Sequence, residues 1–120
     1  MLPLLICYSD DNGDHWTKPI ATSQARGCMP QLAFDGKILA LSSGALHYPR
    51  WGNGIVFSLD QGHTWTDLIN YAPVFTSGYG ALMTIAPGHF LAIFDYAAPQ
   101  PWKDHAAHWV GAVDIKVEQK

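Results

Sequence analysis

Three residues have side chains that could do chemistry and follow one another at intervals of 29 and 16 positions, namely Arg50, Tyr79 and Asp95. An arginine can hold a carboxylate through two parallel charge-assisted hydrogen bonds, in a way that lysine cannot copy. A tyrosine is equally compatible with a core aromatic whose hydroxyl reaches the rim of the fold. The residue types alone therefore leave both a functional and a structural role open.

Metal and thiol chemistry is not indicated by the sequence. His105 and His108 form an H-x-x-H pair, but two such residues without further ligands rarely make a metal site. Cys7 and Cys28 have neither metal-ligand spacing nor a C-x-x-C arrangement, which favours two buried thiols. We predict no cofactor and no bound metal.

A motif of the form S-x-D-x-G-x-x-W occurs twice, at residues 9–16 and 58–65, with an offset of 49 positions. Each copy lies between two short extended segments, which is typical of a β-hairpin whose turn carries the motif. Its aspartate can accept hydrogen bonds from backbone N–H groups further along the turn, and Gly13 or Gly62 supplies a positive φ. The tryptophan is expected to plug the space between neighbouring strands. We interpret the motif as a structural turn, because too few carboxylates converge for a calcium site.

A second repeat indicates the architecture. Residues 30–41 and 81–93 both have the pattern of strand, tight turn and strand, and helical periodicity is absent. Repeats of about 50 residues with four short strands have the size of a propeller blade. We predict an all-β fold, specifically a partial β-propeller of about two and a half four-stranded antiparallel blades. The single incomplete domain, 1–120, would comprise a blade end at 1–24, a full blade at 25–72 and a partial blade at 73–120.

Composition restricts the partners. The chain has 7 Lys and Arg against 10 Asp and Glu, a formal net charge of −3, so it lacks the positive field of a nucleic-acid binder. The apolar run at 2–8 is too short to span a bilayer, and no membrane partner is expected. An open stack of blades would leave strand edges and apolar faces in water. We therefore expect a segment of a longer protein, or a chain that assembles with copies of itself.

The turn motif resembles the Asp box, or bacterial neuraminidase repeat, of the sialidases and their six-bladed propeller relatives. Arg50 stands eight residues before Ser58 of the second motif, as in the sialidase segment that it resembles. The stretch 27–29 is similar to the opening of that blade, and 77–82 is similar to the strand start that holds the family's tyrosine. Residues 93–95 end where the family usually has a glutamate. The likeness corresponds to the C-terminal part of a catalytic domain.

The resemblance implies roles for the three candidate residues. Sialic acid carries a carboxylate on its anomeric carbon, which repels an anionic nucleophile, and the family uses a neutral tyrosine instead. By resemblance Tyr79 is this nucleophile, and Arg50 is the third arginine of the triad that grips the carboxylate. Asp95 would orient an arginine, with one methylene less than the usual glutamate. A glycine follows Tyr79 where the family commonly has serine.

The family's other two arginines, its aspartate general acid and the glutamate that activates the tyrosine have no match in this chain. We therefore expect a fragment of a sialidase-like exo-glycoside hydrolase that takes a glycan substrate and is inactive alone. The family resemblance suggests a secreted or periplasmic protein. The alternatives are a non-catalytic Asp-box propeller module that binds glycans or protein partners through its rim loops, and a hydrolase for another sugar. Trp102, in a rim loop, is a candidate to line a sugar site.

Overall fold

The computed structural model describes residues 3–47, 51–97 and 108–118, and this part of the chain contains strands and no helix. The strands are β1 (Pro3–Ile6), β2 (Ile20–Arg26), β3 (Cys28–Phe34), β4 (Leu39–His47), β5 (Trp51–Ser58), β6 (Ile69–Phe75), β7 (Gly80–Ala86), β8 (His89–Ala97) and β9 (His108–Lys116). Within these ranges no helix is long and apolar enough to cross a membrane.

The strands form three antiparallel sheets. The first sheet is β1-β2, the second is β3-β4-β5-β6 and the third is β7-β8-β9, in those spatial orders. Within each sheet consecutive strands pair with each other, so the first sheet is a two-stranded hairpin and the other two are meanders. The predicted all-β antiparallel fold is confirmed, and no sheet closes on itself.

Two apolar cores hold the sheets face to face. Alternate side chains of a strand point to opposite faces, so β4 and β5 supply residues to both cores. Between the first and second sheets, Ala25, Leu41 and Val56 are buried. Between the second and third sheets, Phe57 packs on Phe90, with ring centroids 6.0 Å apart. The second sheet is therefore the middle layer of a three-layer stack.

A polar contact joins the second and third sheets at their hairpin turns. Asp35, in the β3–β4 turn, accepts hydrogen bonds from the N–H groups of Lys37 (2.8 Å) and Ile38 (2.6 Å). Its other oxygen accepts one from the Gly88 N–H of the β7–β8 turn at 2.6 Å. The Ile38 N–H is the main cause that lowers the pKa of Asp35. One carboxylate thus shapes its own turn and ties it to the next sheet.

The two motif turns fold alike. The first lies between β1 and β2 and the second between β5 and β6. In the second turn, Ser58 Oγ donates to Asp60 Oδ1 (2.7 Å) and accepts from the Gly62 N–H (2.7 Å), while the Thr64 N–H donates to Asp60 (2.8 Å). The first turn repeats these bonds with the corresponding residues at 2.8, 2.8 and 2.9 Å. The expected hydrogen bonds to the aspartate are present in both copies.

The tryptophans of the two turns differ in burial. Trp65 is half-buried and packs against the core between the first and second sheets, as the plug interpretation expects. Trp16 is 64% exposed, and its indole Nε1 donates to the Gly13 carbonyl of its own turn at 2.9 Å. The plug prediction is therefore wrong for Trp16, because the described residues place no further sheet against it.

Acid should weaken the fold through these turns. Hydrogen bonds lower the pKa of Asp60, mainly those from Thr64, and that of Asp11, mainly the one from the His15 N–H. A carboxylate with a depressed folded pKa adds stability above its unfolded pKa of about 4, and this stability is lost as the pH falls through the folded value. We expect the free energy of unfolding, measured by urea titration, to decline as the pH falls below about 4.

The exchange Asp60→Asn should lower the melting temperature at pH 7 and make the acid-dependent decline shallower. Asp10→Asn is the matched control, since Asp10 is exposed and contributes none of these bonds. Equal pH profiles for the wild type and Asp60→Asn would contradict this account of the turn.

Candidate active site

The structure places two of the three predicted residues at the junction of the second and third sheets. Tyr79 lies in the connection between β6 and β7 and is 62% exposed. Asp95 lies on β8 and is half-buried. Arg50 lies outside the described residues, as do His105 and Trp102. Within the described part of the chain no group of three or more His, Cys, Asp or Glu could hold a metal, and Cys7 and Cys28 are free thiols.

Tyr79 and Asp95 are linked through Ser77. Asp95 Oδ1 accepts hydrogen bonds from the Ser77 hydroxyl at 2.7 Å and from the Ser77 N–H at 3.2 Å. The Ser77 hydroxyl oxygen in turn accepts one from the Tyr79 N–H at 3.3 Å. The carboxylate on β8 thus fixes the backbone of the residue whose phenol is exposed.

A buried amide holds Tyr79 from the other side. Asn53, on β5, is 1% exposed, and its Nδ2 donates to the Tyr79 carbonyl at 3.4 Å. Its Oδ1 accepts a hydrogen bond from the buried Thr76 hydroxyl at 2.7 Å. The β5–β6 register shifts on both sides of Asn53, and such irregularities re-aim a side chain away from the regular alternation. Asn53 therefore connects the second sheet to both ends of segment 76–79.

Tyr71 extends this buried network to β6. Burial raises the pKa of the Tyr71 hydroxyl, and hydrogen bonds from Asn53 and Ser42 oppose the rise. Its ring meets that of Phe94 edge-on, with centroids 5.9 Å apart. The Tyr71 phenol thus belongs to the same hydrogen-bond network as Asn53, which holds the exposed Tyr79.

Two glycines allow the sheets to approach at this point. Gly78 adopts a φ of +95°, which disfavours a side chain. Gly44, on β4, lies so close that a Cβ added to it would overlap the Gly78 backbone. The four residues of segment 76–79 are thus each held by a strand: β5 holds Thr76 and Tyr79, β8 holds Ser77 and β4 packs against Gly78.

The arrangement presents a phenol on a fixed backbone. Among the described residues, Tyr79 makes hydrogen bonds through its backbone, and none is seen to its hydroxyl. Arg26 is exposed, and its carbonyl accepts a hydrogen bond from Ser43 Oγ at 2.6 Å, which gives it a structural contact through the backbone.

The sequence did not predict the contributions of Asn53, Thr76 and Ser77 to this site. The one available signal was an asparagine between two glycines in an otherwise apolar strand.

The described residues define an all-β protein of stacked antiparallel sheets with an exposed, backbone-anchored tyrosine at a sheet junction. Compared with curated proteins, the chain is similar to the anhydrosialidase of Macrobdella decora, with 32% identity over 82 residues. The match covers 65% of this chain and 10% of that protein, so the chain spans about a tenth of its relative's length. No family model matches the chain, and no solved structure matches it significantly.

Proposed function

We propose that the chain is a segment of a sialidase-like exo-glycoside hydrolase that acts on terminal sialic acids or related sugars. The observation that carries the proposal is the exposed Tyr79 phenol, whose backbone is fixed by Ser77 and Asn53. A pre-positioned neutral hydroxyl is the nucleophile required at an anomeric carbon that bears a carboxylate. The similarity to a protein named anhydrosialidase supports the same class.

The sheet order supports a partial β-propeller as the architecture. The first motif turn joins the two strands of the first sheet, β1 and β2, and the second joins the last two strands of the second sheet, β5 and β6. In this proposal the first sheet corresponds to the blade end at 1–24, the second to the full blade at 25–72 and the third to the partial blade at 73–120. Strands β2 and β6 extend two and three residues past these bounds, to Arg26 and Phe75. Stacked four-stranded meanders with equivalent turns are the construction of propellers.

In the proposed reaction the Tyr79 oxygen attacks the anomeric carbon and the bond to the leaving alcohol breaks. Arg50 would grip the substrate carboxylate by two parallel hydrogen bonds. The alcohol takes its proton from a general acid, and Tyr79 loses its own proton to a base. This chain has no match for those two groups, so they would come from other blades, and the chain alone is expected to be inactive.

The third sheet exposes the surface on which such blades would pack. Met83, Ile85 and Val110 are 50%, 49% and 78% exposed. β9 is an edge strand, with a partner on one side only in the described structure. We propose that the remaining blades of a longer chain cover this surface, since the curated relative is about ten times the matched length. Self-association of this chain is the competing occupant, and light scattering of the 120-residue chain separates a monomer from an oligomer.

The experiment that tests the function is release of a fluorophore from a sialoside. A polypeptide in which this segment is completed by its upstream sequence should release it, and the 120-residue chain alone should not. A completed protein that binds sialosides without cleaving them would overturn the proposal.

One observation favours a second candidate, a non-catalytic module that binds glycans. A groove of about 590 Å³ lies between the two motif turns. Its lining includes the exposed Trp16 and the stacked rings of Tyr8 and His63, 5.5 Å apart. Aromatic faces beside polar groups suit sugar binding. Binding without hydrolysis, abolished by Trp16→Ala, would favour this candidate.

A further inference from the structure

The chain of hydrogen bonds from Tyr79 to Asp95 runs in one direction. The Tyr79 N–H donates to Ser77 Oγ, and the Ser77 hydroxyl donates to Asp95 Oδ1. Because the single hydroxyl proton of Ser77 is committed to the carboxylate, a lone pair of its oxygen is left to face the Tyr79 N–H. The bond to the carboxylate is charge-assisted, and consecutive hydrogen bonds of this kind strengthen one another.

From this geometry we infer that Asp95 is a positioning residue, which holds the backbone of Tyr79 in place through Ser77. This differs from the role in orienting an arginine that the family resemblance implied. Both described hydrogen bonds of the Asp95 side chain come from Ser77, in the connection that carries Tyr79. The catalytic meaning of this role rests on the proposed function, whereas the positioning itself does not.

The backbone of Tyr79 is fixed at both of its polar groups. The Tyr79 N–H donates to Ser77 Oγ, whose hydroxyl donates to Asp95 of the third sheet. The Tyr79 C=O accepts a hydrogen bond from Asn53 of the second sheet. Gly78, between Ser77 and Tyr79, has a positive φ and packs against Gly44 of β4. Loss of the Ser77 link releases one of the two hydrogen bonds that hold the Tyr79 backbone, and Tyr79 should gain freedom while the strands stay paired.

Native-state hydrogen exchange of the Tyr79 amide, followed by NMR on the labelled 120-residue chain, tests the inference. Ser77→Ala removes the acceptor and should speed this exchange roughly fivefold to tenfold, as expected for the loss of one hydrogen bond. Asp95→Ala leaves the serine in place but frees its hydroxyl to rotate, so exchange should accelerate in the same direction. Ser77→Thr keeps the hydroxyl and should restore wild-type exchange.

The double variant Ser77→Ala with Asp95→Ala distinguishes a relay from two separate effects. If Asp95 acts through Ser77, the second substitution adds little to the first. Asp114→Ala is the matched control, because Asp114 is a carboxylate of the same sheet that contacts His89 at 3.0 Å. It should leave Tyr79 exchange unchanged.

Unchanged Tyr79 exchange in Asp95→Ala, or fully additive effects in the double variant, would overturn the inference. So would an equal acceleration in Asp114→Ala, which would indicate general loosening of the third sheet. The measurement uses no sugar. A completed protein without hydrolytic activity would therefore end the proposed function and leave this result standing, whereas a negative exchange result would remove Asp95 from the positioning of Tyr79 without touching the sugar chemistry.

Discussion

Replacing Tyr79 by phenylalanine should abolish turnover of a sialoside by the completed protein and leave its fold intact. The exchange removes one oxygen atom from a side chain that is 62% exposed and keeps the ring. The backbone of Tyr79 donates a hydrogen bond to Ser77 and accepts one from Asn53, and neither involves the phenol, so the connection should remain as it is. Loss of the nucleophile should lower kcat by at least about a hundredfold.

The measurement is steady-state fluorophore release, with circular dichroism and the melting temperature as checks on the fold. Tyr96→Phe is a matched control, because Tyr96 lies on β8 and stacks on Trp109 with centroids 5.3 Å apart. That variant should retain activity. A Tyr79→Phe enzyme with undiminished kcat would remove Tyr79 from the mechanism.

Replacing Phe90 by alanine should produce the largest loss of stability among the core residues. Phe90 is 0% exposed and packs in the core between the second and third sheets. Truncating a buried phenylalanine leaves a cavity and costs about 3–5 kcal/mol. This is a large part of the total of about 5–15 kcal/mol that keeps a domain folded.

Urea unfolding of the 120-residue chain measures this effect, and Phe34→Ala is the matched control. Phe34 lies on β3 and is 51% exposed, so the same truncation there removes far less buried surface. If Phe90→Ala does not fold, Phe90→Leu keeps most of the volume and should cost less than about 1.5 kcal/mol. Equal losses for Phe90→Ala and Phe34→Ala would contradict the face-to-face packing of the sheets.

The local parts of the fold could be predicted from the sequence because short-range patterns determine them. Short extended segments beside the motifs and the strand–turn–strand repeats predicted the strands, and the spacing of Ser, Asp and Gly predicted the motif turns, where each bond spans four residues or fewer. Asn12 and Gln61 also adopt positive φ, at 60° each. The motif did not predict this, because it leaves the residue before its glycine open. Asparagine is enriched at positive φ, whereas glutamine has no such preference.

The site could be predicted only in part, because its contacts join residues that are distant in sequence. Tyr79 and Asp95 were identified as candidates by type and resemblance. Asn53 binds Tyr79 across 26 positions and Thr76 across 23, and only the pairing of the sheets brings them together. The hydrogen bond from Ser77 to Asp95 spans 18 positions and follows from the pairing of β7 with β8, in which Gly80 stands opposite Phe94. The contacts of Asn53 follow from the stacking of sheets, which no local pattern specifies.

The most direct test of the central claim is to find where the sugar becomes attached. A fluorinated sialic acid derivative slows the breakdown of a covalent sugar–enzyme intermediate, so the labelled peptide of the completed protein can be sequenced by mass spectrometry. We predict that the label lies on Tyr79. Attachment of the sugar to any other residue would contradict the assignment of Tyr79 as the nucleophile.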